Sequence, residues 1–296
     1  MNRFKITVPA SSANMGPGFD SAGLAVNRFL TIYVKEQEAW SFEHRGHFLP
    51  EINDYKDHLI YQIAAQTAAR YQRILPTCQV IVESDIPLAR GLGSSSSAVL
   101  AGIELANQVC DLSLTKEQKL QFGTEIEGHP DNIAPALFGG VIVTTITPSG
   151  DVEYVSIQDL NLDIIVYIPT VELKTEAARN VLPEEFPRKD ATTASSISNV
   201  MLAALLTGDY ELAGKMMEND GFHEPFRAEM IPNYAIIKQE ARQAGAYGTV
   251  ISGAGPTMIS FVPRDKIAEI AAHMATQLPD YEVARLEIEQ NGLQIE

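Results

Sequence analysis

The chain has 296 residues, of which 45% are hydrophobic and 20% are charged, and its formal net charge is −16. This composition is typical of a globular protein and excludes a largely disordered chain, while the length suits two domains of roughly 150 residues each. An acidic chain with no basic stripe repels phosphate backbones, so we expect no nucleic-acid partner. No long apolar run opens the chain, so we expect neither a signal peptide nor a membrane partner. Cys78 lies in a predicted buried strand and Cys110 in a predicted helix, which favours a reducing, cytoplasmic location.

Hydrophobic patterning predicts four strands and four helices in the N-terminal half. Thr115 and Gln118 match a capping box, which supports the start of the third helix. The predicted strands are Phe4–Val8, Phe29–Glu36, Cys78–Glu83 and Val141–Thr147. The predicted helices are His58–Tyr71, Ser94–Val109, Thr115–Glu127 and Pro130–Phe138.

The C-terminal half is predicted to be richer in helices. Its predicted strands are Val152–Ile157, Leu162–Ile168, Tyr247–Ser252, Thr257–Val262 and Glu282–Ile288. Its predicted helices are Thr175–Val181, Ala191–Leu206, Tyr210–Met217, Tyr234–Ala244 and Lys266–Gln277. The closing order of strand, turn, strand, helix and strand is that of a ferredoxin-like layer. We therefore expect an α+β protein with two domains, residues 1–155 and 156–296.

A loop rich in glycine and serine, Gly91–Ser97, lies between a predicted strand and a predicted helix. Unpaired amides and a partial positive charge at a helix start attract anions, and glycines let the backbone approach a phosphate closely. Serine hydroxyls can donate to phosphate or bind Mg²⁺. The loop lacks the lysine of a P-loop and the third glycine of a dinucleotide fingerprint. A flexible linker or a turn with a serine cap remains the alternative interpretation.

Three other segments combine turn residues with polar side chains. Residues 9–24 place Asn14 and Asp20 among small residues, which indicates a polar pocket or an ordinary surface turn. In residues 125–132, Glu127 and Asn132 are candidates for chemistry, whereas Asp131 is interpreted as a solvated residue in a helix first turn. The turn in residues 252–257 predicts either a plain hairpin or a close approach of backbone to a ligand.

Together these segments resemble the GHMP kinase family. The resemblance rests on three motifs in the family's order, Pro9–Asp20, Pro87–Ser95 and Gly253–Pro256. It implies a two-domain fold with a ribosomal protein S5-like N-terminal domain and a ferredoxin-like C-terminal domain. It also implies an enzyme that transfers phosphate from ATP, with Mg²⁺, to the alcohol group of a small molecule. Members of the family commonly form dimers, so a homodimer is implied as well.

Three more segments are similar to the homoserine kinase branch of that family. They are His129–Gly140, Leu173–Arg179 and His223–Arg227. This similarity implies L-homoserine as the substrate and a role in threonine biosynthesis.

The resemblance also implies roles for individual residues. The expected ATP-binding residues are Pro87, Leu88, Ala89, Arg90, Gly91, Leu92, Gly93, Ser94, Ser95, Ser96, Ser97, Gly253 and Gly255. The expected Mg²⁺ ligands are Ser95 and Glu127. The expected substrate-binding residues are Asn14, Asp20, His129, Asn132, Arg179 and Arg227, and the catalytic set is Asp20, Asn132, Thr175 and Glu127. Arg179 and Arg227 suit a carboxylate because guanidinium groups bind carboxylates in a fork geometry.

The sequence does not identify a general base. Mevalonate kinases carry a lysine in the first motif, whereas no lysine lies between Pro9 and Gly23 here. We expect Asn132 and Asp20 to orient the substrate hydroxyl, and its proton to pass to phosphate or solvent. Arg90 is interpreted either as a charge near the phosphates or as a solvated loop cation.

Three alternative functions remain open at this point. A mevalonate-like or shikimate-like kinase would share the ATP loop, although the two arginines favour an acidic substrate. An ATP-dependent decarboxylase would need a basic cluster near the first motif, where residues 2–23 offer only Arg3 and Lys5. A non-catalytic ATP-binding member is disfavoured because Glu127, Asn132 and Asp20 are all present.

Overall fold

Two β-sheets with helices packed on them form the part of the chain that the computed structural model describes, residues 3–46, 48–49 and 51–296. The strands are β1 Arg3–Ala13, β2 Ala22–Glu36, β3 Ser41–Arg45, β4 Cys78–Ser84, β5 Val141–Ile146, β6 Val152–Ile157, β7 Asp163–Pro169, β8 Gly248–Ile251, β9 Met258–Val262, β10 Tyr281–Leu286 and β11 Gln294–Ile295. The α-helices are α1 Leu59–Arg70, α2 Ser94–Val109, α3 Lys116–Glu127, α4 Ile133–Phe138, α5 Thr175–Asn180, α6 Arg188–Thr207, α7 Tyr210–Met217, α8 Glu224–Arg227, α9 Tyr234–Ala244 and α10 Ile267–Gln277. Short 3-10 helices lie at Tyr55–Asp57, Ala228–Met230 and Arg264–Lys266.

The first sheet has the strand order β11-β1-β2-β4-β3, and β5 pairs with β2 and with β6. Strand β1 runs antiparallel to β2 over its whole length, with a register shift between Pro9 and Ala10. The shift accommodates Pro9 and lets the strand continue to Ala13, five residues beyond the predicted end at Val8. The polar residues of the first motif are therefore anchored at the end of a buried strand.

Helices α2 and α4 pack against β1 and β2, and α1 packs against α2. Val99, Leu100 and Ile103 of α2 are fully buried in this core. The predicted capping box at the start of α3 is confirmed, because Thr115 accepts from the amide of Gln118 and the Gln118 side chain accepts from the amide of Thr115. These contacts fix the starts of α2 and α4 at one end of the sheet.

The second sheet is fully antiparallel, with the order β10-β7-β9-β8. Strand β7 lacks polar alternation because both of its faces are buried. Ile164 and Val166 join the large core shared with the first sheet, whereas Ile165 and Tyr167 face a second core that includes residues of α9 and α10. The predicted strand, turn, strand, helix and strand order corresponds to β8, β9, α10 and β10.

Several predicted boundaries differ from the structure. The helix predicted from Pro130 begins at Ile133, because the preceding residues form a turn in which Asn132 is the N-cap. Strand β3 and the four-residue helix α8 were missed, since β3 is short and largely polar and α8 is too short for a periodic signal. The domain boundary at residue 155 stays a prediction. In the structure β6 ends at Ile157, and β11 returns the chain to the first sheet.

Candidate active site

A cavity of about 460 Å³ lies where the end of β1, the start of α2 and the turn between β8 and β9 meet. The end of α3, the turn before α4, helix α5 and the end of α8 complete its wall. The predicted site residues that line it are Asn14, Asp20, Ala89, Arg90, Gly91, Gly93, Ser94, Ser95, Ser96, Glu127, His129, Asn132, Thr175, Arg179, Arg227 and Gly253. Residues separated by more than 200 positions in the sequence thus line one cavity.

The start of α2 is built to face an anion. Gly93, its N-cap, has the left-handed φ of 67°, offers no side-chain cap, and no acidic residue lies in the first turn of the helix. Gly91 is also left-handed, and a Cβ there would lie 2.3 Å from the carbonyl oxygen of Ser252. Glycine is therefore required at both positions, for the left-handed conformation and for close packing. The amides of the first turn remain available to a bound phosphate.

The turn between β8 and β9 docks onto this loop through its backbone. Ser252 Oγ donates to the carbonyl of Gly91 at 2.5 Å, and the amide of Gly253 donates to the carbonyl of Ala13 at 3.1 Å. Gly253 lines the cavity, whereas Gly255 lies behind it against Ile231. The segment is both a hairpin and a wall of the cavity, so the two interpretations made from sequence do not exclude each other.

Glu127, the last residue of α3, meets the first turn of α2. Its Oε1 accepts from Ser95 Oγ at 2.7 Å and its Oε2 accepts from Ser96 Oγ at 2.9 Å. No group of three or more acidic, histidine or cysteine side chains among the described residues could hold a metal ion. One carboxylate with a hydroxyl suits Mg²⁺, which takes one or two carboxylates and completes its shell with phosphates and water. The residues present therefore fit the predicted Mg²⁺ site.

Asp20 and Arg179 form a two-pronged ion pair inside the cavity. Arg179 Nη1 donates to Oδ2 of Asp20 at 3.2 Å and Nη2 donates to Oδ1 at 2.8 Å. Asn14 positions Asp20, because its Oδ1 accepts from the Asp20 amide at 3.1 Å while its Nδ2 donates to the carbonyl of Gly253. Burial would lower the pKa of Arg179, but the hydrogen bonds and charge of Asp20 raise it. Asp20 therefore keeps Arg179 protonated at neutral pH.

Arg227 is a buried cation, only 2% exposed. Its Nε donates to the carbonyl of Ala178 and its Nη1 to that of Gly253, while Nη1 also lies 3.2 Å from His223 Nδ1. Burial, together with the smaller effect of the charge of Arg179, lowers the pKa of Arg227 to about 10. No acceptor among the described residues binds Nη2. That group is left for a ligand in the cavity.

His223 is neutral and accepts a hydrogen bond from Arg227. Burial lowers the pKa of His223, and its Nε2 lies 3.0 Å from the carbonyl oxygen of Gly16. Nε2 therefore carries the proton that is donated to Gly16, and Nδ1 accepts from Arg227. The ring also stacks on Phe19 at a centroid distance of 5.3 Å. This arrangement fixes Arg227 without adding another positive charge to those of Arg179 and Arg227.

His129 and Asp131 form a second pair, with Nδ1 and Oδ1 2.6 Å apart. Asp131 is 2% exposed, so its interpretation as a solvated helix cap is wrong. Burial would lower the pKa of His129, but the hydrogen bond and charge of Asp131 raise it. The carboxylate is buried because the turn before α4 points it at the histidine rather than at solvent. Asp131 also lines the cavity, which sequence reasoning missed.

Five predicted ATP-binding residues do not line this cavity. Leu92 and Pro87 are buried, Ser97 donates to the carbonyl of Pro9, Gly255 packs behind the turn, and Leu88 lines a neighbouring cavity.

Arg90 is neither of the two cations that the sequence suggested, and Lys174, for which no role was predicted, also lines the cavity. The guanidinium of Arg90 donates to the carbonyls of Leu88, Pro169 and Thr170, so it ties the phosphate loop to the end of β7. Lys174 lines the cavity, is exposed and meets no acceptor among the described residues. It stands next to Thr175, and that position in a matched motif was the signal that could have identified it.

A second, mostly apolar cavity of about 230 Å³ shares Ser94 and Ser95 with the first. Leu30, His58, Leu88 and other apolar residues line it. The ring of His58 stacks on Phe42, and Phe42 stacks on Trp40, the one tryptophan of the chain. A planar apolar group could lie here while an attached anion reaches the start of α2.

Comparisons with known proteins show which family the chain belongs to. Family models of the GHMP kinases match residues 58–140 with the N-terminal domain and residues 201–280 with the C-terminal domain. A homoserine kinase of Oceanobacillus iheyensis is 49% identical over 298 residues, which cover 100% of this chain and 100% of that protein. The chain belongs to the GHMP kinase family, and as a member of a kinase family it uses ATP.

Within that family the full-length similarity is to homoserine kinases. One from Halalkalibacterium halodurans is 45% identical, covering 99% of this chain and 94% of that protein. The solved structure of homoserine kinase from Cytophaga hutchinsonii superposes with a TM-score of 0.87 at 26% identity, covering 100% of this chain and 98% of that one. The two-domain GHMP kinase fold predicted from the sequence is thereby confirmed.

Proposed function

We propose that this protein transfers the γ-phosphoryl group of ATP to the side-chain hydroxyl of L-homoserine, giving O-phospho-L-homoserine for threonine biosynthesis. One observation carries the proposal. A single cavity joins an uncapped helix start, suited to a triphosphate, to the cluster of Asp20, Arg179 and Arg227, which is suited to an amino acid.

The nucleotide follows the shape of the two cavities. Its phosphates lie on the amides of Ser94 to Ser96, and its base enters the apolar cavity lined by Leu30 and Leu88. Glu127 and Ser95 would hold Mg²⁺, which would neutralise charge on the phosphates. Lys174 and Thr175 reach the terminal phosphate from the opposite wall.

The amino acid binds through its two charges. Its carboxylate accepts hydrogen bonds from the free Nη2 group of Arg227 and from one Nη group of Arg179. Its ammonium group donates to the carboxylate of Asp20. Phe19 lies under both guanidinium groups, with ring distances of 5.9 Å to Arg179 and 5.4 Å to Arg227, and supplies an apolar floor for the methylene carbons. Asn132 and His129 face the reacting hydroxyl from the other side.

In the transfer, the hydroxyl oxygen forms a bond to the γ-phosphorus as the bond to the ADP oxygen breaks. The hydroxyl proton passes to the transferred phosphate or to solvent. Protein side chains need only orient the reactants and stabilise charge, since phosphoryl transfer requires little covalent chemistry from the enzyme.

A kinase acting on another acidic alcohol is the second candidate, since mevalonate and shikimate also carry a carboxylate. The full-length similarity to homoserine kinases argues against it. Purified protein with ATP and Mg²⁺ should form phosphorylated product fastest with L-homoserine, when compared with mevalonate, shikimate, L-serine and L-threonine. Equal product formation with mevalonate or shikimate, or ATP binding without any turnover, would overturn the assignment.

Among the described residues, no helix is long and apolar enough to cross a membrane. We further propose a cytoplasmic homodimer that binds neither nucleic acid nor membrane, with its domains divided at residue 155. The net charge of −16 supports the first exclusion. Sedimentation of the purified protein tests the dimer.

A further inference from the structure

Asn132 occupies a helix N-cap but does not cap its helix. An N-cap asparagine usually accepts a hydrogen bond from an amide of its own first turn. Here Asn132 precedes α4 with no such bond, and its Oδ1 accepts instead from Ser11 Oγ at 2.9 Å. The side chain is therefore held by another part of the fold rather than by its own helix.

Ser11 is a buried residue of β1 that contacts the phosphate loop as well. It is 0% exposed, and its amide donates to the carbonyl of Leu92 at 3.2 Å. The loop passes so close that a Cβ on Gly93 would lie 2.2 Å from Ser11 Oγ and 3.0 Å from Asn132 Oδ1. One serine therefore touches both the nucleotide loop and the side chain that faces the acceptor.

The hydrogen bond also decides which way the amide of Asn132 points. The Ser11 hydroxyl donates to Oδ1, so the Nδ2 group is the end left for the cavity that Asn132 lines. An amide that presents N–H groups binds the oxygen of a hydroxyl or of a phosphoryl group, and leaves the hydroxyl proton free to point elsewhere.

We propose that Ser11 is a positioning residue for the reaction. It fixes the Asn132 amide with Nδ2 toward the reacting hydroxyl, and it sets the distance between that amide and the phosphate loop. This inference rests on the proposed function, because it assigns Asn132 to the acceptor alcohol. Ser11 itself touches no reactant.

Substitution of Ser11 by alanine tests this role. Ser11→Ala should lower kcat for the acceptor about ten-fold, the size of one orienting hydrogen bond, and leave KM for ATP within about two-fold. Ser11→Cys keeps the side-chain volume and a weak hydrogen-bond donor. Its kcat should lie between those of the unmodified protein and Ser11→Ala. Thr67→Val is the matched control, because Thr67 is also fully buried and its hydroxyl bonds only within α1. It should match the stability loss of Ser11→Ala and keep kcat unchanged.

A double-mutant cycle separates positioning from general loss of structure. If Ser11 acts through Asn132, then Ser11→Ala should cost almost nothing in kcat when Asn132→Ala is already present. Additive losses in that cycle, or equal kcat losses in Ser11→Ala and Thr67→Val, would overturn the inference.

The proposed function is judged separately, on the unmodified protein with L-homoserine. The inference is judged on the ratio of variant to parent rates with whichever alcohol the unmodified protein phosphorylates. The unmodified protein could phosphorylate a different alcohol while the losses in the Ser11→Ala and Asn132→Ala double-mutant cycle are not additive. That result would overturn the substrate assignment and support the role of Ser11.

Discussion

Arg227 is a buried charge that keeps one donor group for an anionic ligand. Removing a guanidinium from water is costly unless its donors are met, and two backbone carbonyls and the neutral His223 meet most of them. Because an acceptor is absent for Nη2 among the described residues, part of the cost is left for a ligand to offset. A buried arginine with one free arm is a poor structural element and a good anion receptor.

Replacing Arg227 by lysine should therefore impair acceptor binding. Lysine keeps the charge but cannot bond Ala178, Gly253 and a carboxylate at once. We expect KM for L-homoserine to rise at least about ten-fold while KM for ATP stays within about two-fold. Steady-state kinetics with each substrate varied in turn measures both. Arg45→Lys, at an exposed ion pair on β3, should leave both constants unchanged, and an equal rise in both KM values would contradict the assignment.

His58 makes stability depend on pH. Burial lowers its pKa from 6.5 to about 4, with a smaller contribution from the charge of His44. Its Nδ1 caps α1 by accepting from the amide of Ile60, and its Nε2 lies 2.9 Å from His44 Nε2. As the pH falls below 6.5, the unfolded chain binds a proton at this residue that the folded chain does not bind until about pH 4. Stability is fully present above 6.5 and is lost through that window.

His58→Asn should remove this dependence, because asparagine also caps a helix and does not titrate here. The free energy of unfolding in urea is measured near pH 7.5 and near pH 5 for both proteins. Its decrease between the two pH values should be roughly 1–3 kcal/mol larger in the parent than in the variant. An equal fall in both proteins would show that other groups cause the pH dependence.

At the scale of elements, the start of α2 lacks an acidic residue that would stabilise the helix, and this leaves its amides free to bind an anion. An aspartate in a helix first turn usually stabilises the helix by about 0.3–1 kcal/mol, and α2 has none. Ser94→Asp should therefore keep or raise the melting temperature while raising KM for ATP more than about ten-fold, since the new carboxylate takes the place of a phosphate.

Ala235→Asp is the matched control for this prediction. It places the same charge in the exposed first turn of α9, which also lacks an acidic residue. It should stabilise the protein without changing KM for ATP. If both variants had the same KM, the amides of α2 would not be the phosphate site.

Local sequence sufficed for the elements and the phosphate loop but not for pairs that depend on the fold. The boundaries of α7 and α9 and the capping box of α3 follow from periodicity and cap residues close together in sequence. The bond between Ser11 and Asn132 joins residues 121 positions apart, and no local pattern encodes it. The burial of Asp131 and the commitment of Arg90 to backbone carbonyls likewise arise only when the loops meet.

At the scale of the whole molecule, β11 secures the edge of the first sheet. The amides of Lys5 and Glu296 donate to each other's carbonyls at 2.8 and 2.9 Å, and Leu293 packs into the core at 7% exposure. Removing residues 293–296 should lower the melting temperature by about 5 °C, mainly through the lost burial of one leucine. Calorimetry measures this change. Glu296→Gln breaks only an exposed ion pair with Lys5, so it should lower the melting temperature by about 1 °C or less.

The pairing of β1 with β11 also sets an order of events during translation. Lys5 leaves the ribosome 291 residues before Glu296, which at cellular rates is roughly 15 to 60 s. Once β2 has paired with it, β1 is an open sheet edge until β11 is made, and open edges recruit other chains. Arg3 and Lys5 place charge along this edge, as natural edge strands often do. The nascent protein is therefore most prone to association while its nucleotide loop is already made and its last strand is not.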